Sequence, residues 1–600
     1  MAEIKVYTGQ VNDVPLLVHQ QCRMGIPDVL DEIIQPHGNR QGLSVGWLAT
    51  LWQTFLLSEA DHRMSEVEPW AVGQLELLAA LSPQPVTAKD FADDRLADVL
   101  RYLGQDALWE EIEVTLGQHL IRVYDLRCDQ ARLDSTAVAV YHDPEGGTLF
   151  RHSKSKDHRP DLAQFKMMLA TLDPLGMPLA TLVVPGDRAD DPLYRPACLQ
   201  SGRQAFLQAR QVVGRGGRLY IGNSKMAARG IRALLQAEGD FYLTPLPQTG
   251  KVPALLQRLL RAVWSRKQPL EVVRLEDDEE EEAAGESSPK QAKVLALGYE
   301  TSRRQKARVG GQQACLQAGR QVTWTERVWV VFSPSLARSG RRGLEQRLQR
   351  AEAELTSLTQ PRKRGQRQWE ELVPLQEAVQ AILRQRRVEG LLEVRYEREV
   401  ERTAVRSYRD RPARVEERGR YVIQVRRNEA AIHQVRRELG WRLYATNAPS
   451  ERLALATGVQ AYRGAPQIDR NFRRLKGRPL GLRPLYVQRE DHVRGLGRLL
   501  SLALRVLTLT EYVVREKLQQ RKTALAGLYA GHPKRETARP TTERLLKAFR
   551  GIVLTVVRLP GQTIRHITPL TDLQRRILEL LDLPLSIYED LAALAMPNPP

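Results

Sequence analysis

The sequence predicts an α/β protein in which a mixed sheet is assembled from two separated stretches of chain, interrupted by a β-rich insertion and preceded by a helical N-terminal segment. Three observations carry this. Apolar residues recur at three- and four-residue spacing through roughly the first 120 positions, then give way to short apolar and β-branched runs parted by turn signals such as D-P-E-G-G and D-P-L-G-M-P. Strand-like runs and a long charged helical pattern fill about 250 to 440. Finally, W-R-L-Y-A-T-N (Trp441 to Asn447) returns to strand before helical patterns resume.

The 600 residues exceed what one hydrophobic core organises, so two to four domains are expected. The pattern changes divide the chain into 1–120 (helical, DNA-contacting or dimer-forming), 121–250 (first part of the sheet), 251–440 (insertion), 441–530 (second part of the sheet) and 531–600 (helical tail). Ninety Lys and Arg against 71 Asp and Glu give a net charge of +19, which calls for a polyanionic partner, nucleic acid before others. No apolar run is long enough to span a membrane, and M-A-E-I-K-V-Y at the N-terminus carries no apolar signal region, so an intracellular protein is expected. Cys22, Cys128, Cys198 and Cys315 lie far apart without metal-type spacing and read as free thiols.

In chain order, Leu43 to Leu57 and Leu75 to Leu81 have helical periodicity, and Asp93 to Leu103 opens with acids that suit a helix N-terminus. His37, His62, Trp47, Trp52 and Trp70 could be ligands or stacking platforms, but packing and capping explain them better. Strands are expected at Ile121 to Leu126, Ala131 to Tyr141, Phe165 to Asp173 and Pro178 to Gly186. The second of these, A-R-L-D-S-T-A-V-A-V-Y, brings the carboxylate of Asp134 onto a strand, followed at once by small hydroxyl residues. A sheet presents a carboxylate to a metal in this way, although an Asp at a strand end more often caps a turn.

Asp187, Asp190 and Asp191 are weighed as metal ligands; their place after a strand and before a proline favours a capped helix entry. A helix over Ala197 to Gln211 then leads to the strand R-L-Y-I-G (Arg218 to Gly222) and Asn223. The acidic run Glu276 to Pro289 reads as a disordered loop in which like charges resist packing. Val322 to Ser333 is a strand, and Gly343 to Arg387 is a helix or a helical pair broken near Pro361. L-L-E-V-R-Y-E-R and R-Y-V-I-Q-V alternate as strands. The basic cluster Arg362 to Arg367 suits phosphate contacts or a solvated helix face equally well. Tyr462 to Lys476 reads as one helix, Leu499 to Arg515 as an apolar core helix, and Thr541 to Phe549 and Leu573 to Leu581 as amphipathic helices.

Three of these stretches, A-R-L-D-S-T-A-V-A-V-Y, L-Y-I-G-N-S-K-M-A-A (Leu219 to Ala228) and A-Y-R-G-A-P-Q-I-D-R-N-F-R-R-L-K-G-R-P-L (Ala461 to Leu480), together resemble the three catalytic blocks of a DDE transposase of the IS4 superfamily, with an IS1634-like bacterial insertion-sequence transposase nearest. P-H-G-N (Pro36 to Asn39), S-E-A-D-H-R (Ser58 to Arg63) and S-K-D-H-R-P-D-L-A-Q-F-K (Ser155 to Lys166) extend the resemblance over nearly the whole chain. It implies an RNase H-like core interrupted by a β-rich insertion, and a cytoplasmic, nucleoid-associated protein. It also implies double-stranded DNA as partner, bound at the element's ends and the target by a homodimer, and two Mg²⁺ (or Mn²⁺) ions as cofactors.

Such ions activate a nucleophile, neutralise the phosphate and stabilise the departing oxygen, and acidic oxygens are their natural ligands. By the resemblance the metal and catalytic positions are Asp134, Asn223 and Asp469, with Tyr462 and Lys476 completing the third block. The family's pattern there is Y-(2)-R-(3)-E-(6)-K; Ala465 stands at the Arg position, with Arg463 and Arg470 as stand-ins, and Asp469 replaces Glu. Asn223 stands where the family has its second Asp. The substitution keeps a carbonyl ligand but removes a negative charge beside two divalent cations. The readings from the sequence are therefore an impaired or active transposase, a disabled DNA-binding descendant of one, and, third, a nuclease without strand transfer.

Overall fold

The computed structural model describes residues 5–36, 38–141, 147–153, 159–212, 217–274, 294–309, 319–360, 369–405, 414–464, 466–559 and 562–593. His37, Cys315, Ala465, the acidic run at 276–289 and the basic cluster at 362–367 lie outside the described residues.

After strand β1 (Lys5–Gln10), the N-terminal segment is built of helices α1 (Val14–Arg23), α2 (Ile26–Ile33), α3 (Val45–Glu59), α4 (Val67–Gly73), α5 (Leu75–Leu81), α6 (Asp93–Leu103) and α7 (Asp106–Val123). Helix α3 is buried from Val45 to Leu57, which places Trp47 and Trp52 in the core; Trp70 meets Phe55 edge-on at 5.4 Å. The expected strand at Ile121 to Leu126 is instead the last turn of α7 and the turn after it. The physical reason is that Ile121 continues the stripe Ile112, Leu116, Leu120, so the helical face keeps its burial where a six-residue window reads as alternation.

Four strands and two helices follow: β2 (Gln130–Ala139), β3 (Gln164–Leu172), β4 (Met177–Pro185), α8 (Asp191–Val212), β5 (Leu219–Gly222) and α9 (Arg229–Ala237). Then come β6 (Phe241–Pro245), α10 (Val252–Trp264), β7 (Glu271–Arg274), β8 (Val294–Arg308), β9 (Gln321–Phe332), α11 (Pro334–Thr359), α12 (Leu372–Arg386), β10 (Leu392–Val405), β11 (Arg414–Arg427), α13 (Glu429–Glu438) and β12 (Trp441–Thr446). Among the described residues these strands form a nine-stranded mixed sheet in the order β4-β3-β2-β5-β6-β12-β9-β8-β7. β3 is antiparallel to both of its neighbours, β2 and β4, whereas β5 runs parallel to β2 and β6 parallel to β5. β12 is antiparallel to both β6 and β9. The strands between 251 and 440 thus divide: β7, β8 and β9 extend the large sheet, while β10 and β11 make a separate antiparallel ribbon backed by α11.

The final elements are α14 (Leu455–Arg463), α15 (Pro466–Lys476), α16 (Glu490–Arg521), α17 (Thr542–Lys547), β13 (Val553–Leu559), β14 (Gln562–Ile567), α18 (Asp572–Leu580) and α19 (Ser586–Ala593). The stretch from Tyr462 to Lys476 is therefore two helices rather than one, because Gly464 ends α14 and Pro466, whose fixed φ suits a first helical position, begins α15. The apolar stretch from Leu499 to Arg515 lies within α16, which is buried from Leu496 to Glu511 and packs on α3, α6 and β4. No helix among the described residues is long and apolar enough to cross a membrane.

Edge strand β4 is kept from further pairing at its middle. The Glu113 carboxylate accepts from Thr181 N–H at 3.0 Å, and Trp109 Nε1 donates to the Thr181 carbonyl at 3.1 Å, so α7 satisfies the groups a neighbouring strand would use. Glu113 is itself fully buried and paired with Arg505 of α16 at 2.6 Å. At the other end of the chain, β13 and β14 form a hairpin that sequence reading did not anticipate, and β1 adds to it antiparallel to β13.

Candidate functional site

Asp134 and Asn223 meet because two strands end together. β2 and β5 pair in parallel as far as Leu133 opposite Gly222, so the next residue on each, Asp134 and Asn223, faces the other at the point where the two strands part. Asn223 Nδ2 donates to Asp134 Oδ1 at 2.7 Å. The same carboxylate oxygen accepts from Ser135 N–H at 2.8 Å. Asn223 is fixed on its other sides as well: its Oδ1 accepts from Lys225 N–H at 2.8 Å, and its backbone carbonyl accepts from Thr244 Oγ1 of β6 at 2.8 Å. The turn chemistry of Asn after a strand and the contact with Asp134 therefore use opposite ends of one amide.

Arg132 lies two residues before Asp134, on the same face of β2. It is buried in an ion pair with Asp173 at 2.7 Å and donates through Nη2 to the Ala461 carbonyl at 2.7 Å. That bond holds the end of α14 against the strand and sets Tyr462 beside the carboxylate. Tyr462 packs edge-on against Tyr444 of β12 at 4.9 Å. Its hydroxyl is pushed up to about 12, first by burial and then by the neighbouring Tyr444 and the charge of Asp134. Tyr194 of α8 sits on Gly222 and is raised well above the usual phenol range by burial, with Asp134 and Asp190 adding to the shift. Both phenols stay protonated donors at any physiological pH.

Asp190 pairs with Lys166 of β3 at 3.0 Å and its backbone carbonyl accepts from Leu193 N–H, which makes it the entry to α8; Asp191 lies 3.9 Å from Lys225 Nζ, and Asp187 is exposed. Helix α15 packs against β2 and is tied to the β3–β4 turn by Asn471 Nδ2 to the Gly176 carbonyl at 2.6 Å and Gln467 Nε2 to the Leu175 carbonyl at 3.0 Å. Ile468, Phe472 and Leu475 form its buried face, so Asp469, one residue on from Ile468, is exposed on the first turn, and Lys476 is half-buried at the end. The two stand-in arginines are engaged elsewhere: Arg463 donates to Ser333 Oγ at 2.7 Å, and Arg470 pairs with Glu511 at 3.1 Å.

These donors do not fit a pair of divalent ions as they stand. The amide presents N–H, not oxygen, to Asp134, and its oxygen is occupied by a backbone amide. Among the described residues no three His, Cys, Asp or Glu side chains are grouped closely enough to hold a metal. The arrangement is instead a neutral hydrogen bond to a half-buried carboxylate, flanked by two protonated phenols.

The other side chains weighed from sequence have structural roles. His62 is buried with its ring 5.3 Å from Tyr486, and burial lowers its basicity. Cys22, Cys128 and Cys198 are free thiols. Sequence reading did not single out Arg132, Asp173, Tyr194 or Thr244. Of these only Arg132 carried a signal, a second charged residue two positions from Asp134 on the same strand.

No family model matches the chain, and no curated protein sequence matches it. Among solved structures the chain has a likeness to a piggyBac transposase synaptic complex with hairpin DNA, at 9% identity and a TM-score of 0.23, covering 42% of this chain and 55% of that one.

Proposed function

We propose that the chain is a DNA-binding protein of the DDE-transposase type, with an RNase H-like core, whose cleavage chemistry is held down by Asn223. The observation that carries this reading is the 2.7 Å bond between Asn223 and Asp134 at the ends of adjacent parallel strands. The strand order β4-β3-β2-β5-β6, antiparallel over the first three and parallel over the last two, supports the RNase H-like reading, with Asp134 on the central strand β2. The net charge of +19 supports a polyanionic partner. Loss of the carboxylate at position 223 supports binding without efficient phosphoryl transfer, since a two-metal site depends on negative oxygens to hold both ions.

The test uses labelled duplex DNA with four proteins: the unaltered chain, Asn223→Asp, Asp469→Glu and the double variant. The reading expects all four to bind, the unaltered chain to cut poorly, and Mg²⁺-dependent cutting to rise with Asn223→Asp. Strong cutting by the unaltered chain that survives in a fifth protein, Asp134→Asn, would place the chemistry elsewhere, and absence of DNA binding would overturn the reading.

A further inference from the structure

A second feature adjoins this site. Past Asn223 the chain turns through Ser224 to Ala228 into α9, and past Thr244 it runs through Leu246 and Pro247 to α10. These two segments and the projecting end of β8 enclose a groove of about 1020 Å³, at the upper limit of small-molecule pockets. Arg229, Lys251 and Arg258 stand exposed along it, Arg232 and Arg303 form its floor, and among the described residues its lining holds no carboxylate. None of the three exposed cations is in an ion pair among the described residues, in a chain whose arginines are paired at many other places.

The floor is built rather than incidental. Glu326 of β9, fully buried, accepts from Arg303 Nε at 2.7 Å, Gln305 Nε2 at 3.0 Å and Tyr242 Oη at 2.6 Å, and pairs with Arg232. One buried carboxylate thus fixes two guanidiniums and an amide in the floor of the groove. The rim breaks a local rule. Arg229 is the first residue of α9 and Lys251 is the N-cap of α10, so each puts a cation at the positive end of a helix dipole, and neither helix has a side-chain cap or an acid in its first turn. Such placement is unfavourable for folding alone, and it becomes favourable when an anion lies between the two helix ends.

We infer that this groove holds the phosphate backbone of a DNA strand running from the Asp134–Asn223 end of the sheet. The inference rests on the proposed DNA-binding reading and adds to it the path of the strand. Several cations spaced along an open channel suit a chain of phosphates better than one compact anion.

The experiment compares duplex DNA binding, by fluorescence anisotropy over a salt series, for the unaltered chain, the triple variant Arg229→Ala, Lys251→Ala, Arg258→Ala, and a control triple, Arg338→Ala, Arg341→Ala, Arg342→Ala, on exposed positions of α11. All six side chains are exposed, so folding is preserved, and circular dichroism checks it. The groove variant is expected to lose about 100-fold in affinity at physiological salt, with a salt slope shallower by about 2.7, or 0.9 for each phosphate contact removed. The control is expected to change neither. An unaltered chain that binds DNA together with a groove variant of equal affinity and slope would overturn the groove while leaving the proposed function standing. Equal losses in both triples would overturn it too, and an unaltered chain that fails to bind DNA would overturn both.

Discussion

Replacing Asn223 by Asp exchanges an amide donor for a second carboxylate at hydrogen-bond distance from Asp134 Oδ1, where the contact is 2.7 Å. Two charges about 4 Å apart repel by about 4 kcal/mol at an effective dielectric constant of 20. Both side chains are half-buried, so solvent screening reduces this to about 2 kcal/mol. Loss of a hydrogen bond to a charged acceptor adds about 1.5 to 3 kcal/mol. The sum has a ceiling, because the pair can retain one proton: with an ordinary Asp near 3.9, holding that proton at pH 7 costs about 4 kcal/mol, and at pH 5 about 1.5 kcal/mol. The pair's folded-state pKa is raised, so the folded state binds more protons than the unfolded chain and stability falls as pH rises above about 4. Chemical denaturation in chelator should therefore show Asn223→Asp destabilised by about 3 to 4 kcal/mol at pH 7 and by no more than about 1.5 kcal/mol at pH 5. Added Mg²⁺ should return stability to the variant at pH 7 and leave the unaltered chain unchanged. A variant as stable as its parent at pH 7, or an equal penalty at both pH values, would refute the contact between these two residues.

Three further outcomes are expected. Arg505→Ala leaves the carboxylate of Glu113 buried without its cation and should cost about 3 to 5 kcal/mol in denaturant unfolding, whereas an exposed pair such as Arg576 with Glu579 should cost less than about 1 kcal/mol. Asp13 and Asp240 are both pushed up to about 6, chiefly by burial, so their contribution to stability is full below about pH 4 and lost as pH rises through 6; the variant Asp13→Asn, Asp240→Asn should flatten that slope in melts between pH 4 and 7. Gly495→Ala should destabilise by about 1 to 3 kcal/mol, because a methyl there meets the Leu100 carbonyl of α6, a backbone group that cannot swing aside, whereas Gly343→Ala, into open space, should be neutral or stabilising by thermal melt.

The strands around Asp134 were readable because β2, β3 and β4 are apolar runs bounded by turn residues, a pattern that local sequence carries in full. What local sequence does not carry is the pairing. The contact of Asn223 with Asp134 depends on the parallel register of β2 with β5, over a separation of 89 positions, and no spacing rule specifies it. The groove was hidden for the same reason: Arg229, Lys251, Arg258 and Arg303 stand apart in the sequence, and only the fold gathers them. Asp469 illustrates a subtler limit. Its exposure follows from the face that α15 buries, which Ile468, Phe472 and Leu475 decide. The break between α14 and α15, by contrast, had its signal in plain view at Gly464 and Pro466.

The pairing of β1 with β13 joins parts of the chain that are synthesised far apart in time. Lys5 finds its partner at Arg558, Asn12 accepts at its side-chain oxygen from Gly551 N–H at 2.9 Å, and Tyr588 donates to the Asn12 carbonyl at 2.9 Å. On a ribosome adding about 5 to 20 residues per second, the first strand waits roughly half a minute to two minutes before the chain that completes its sheet emerges. During that interval β1 lacks its strand partner and presents an unpaired edge, open to chaperones and to neighbouring nascent chains.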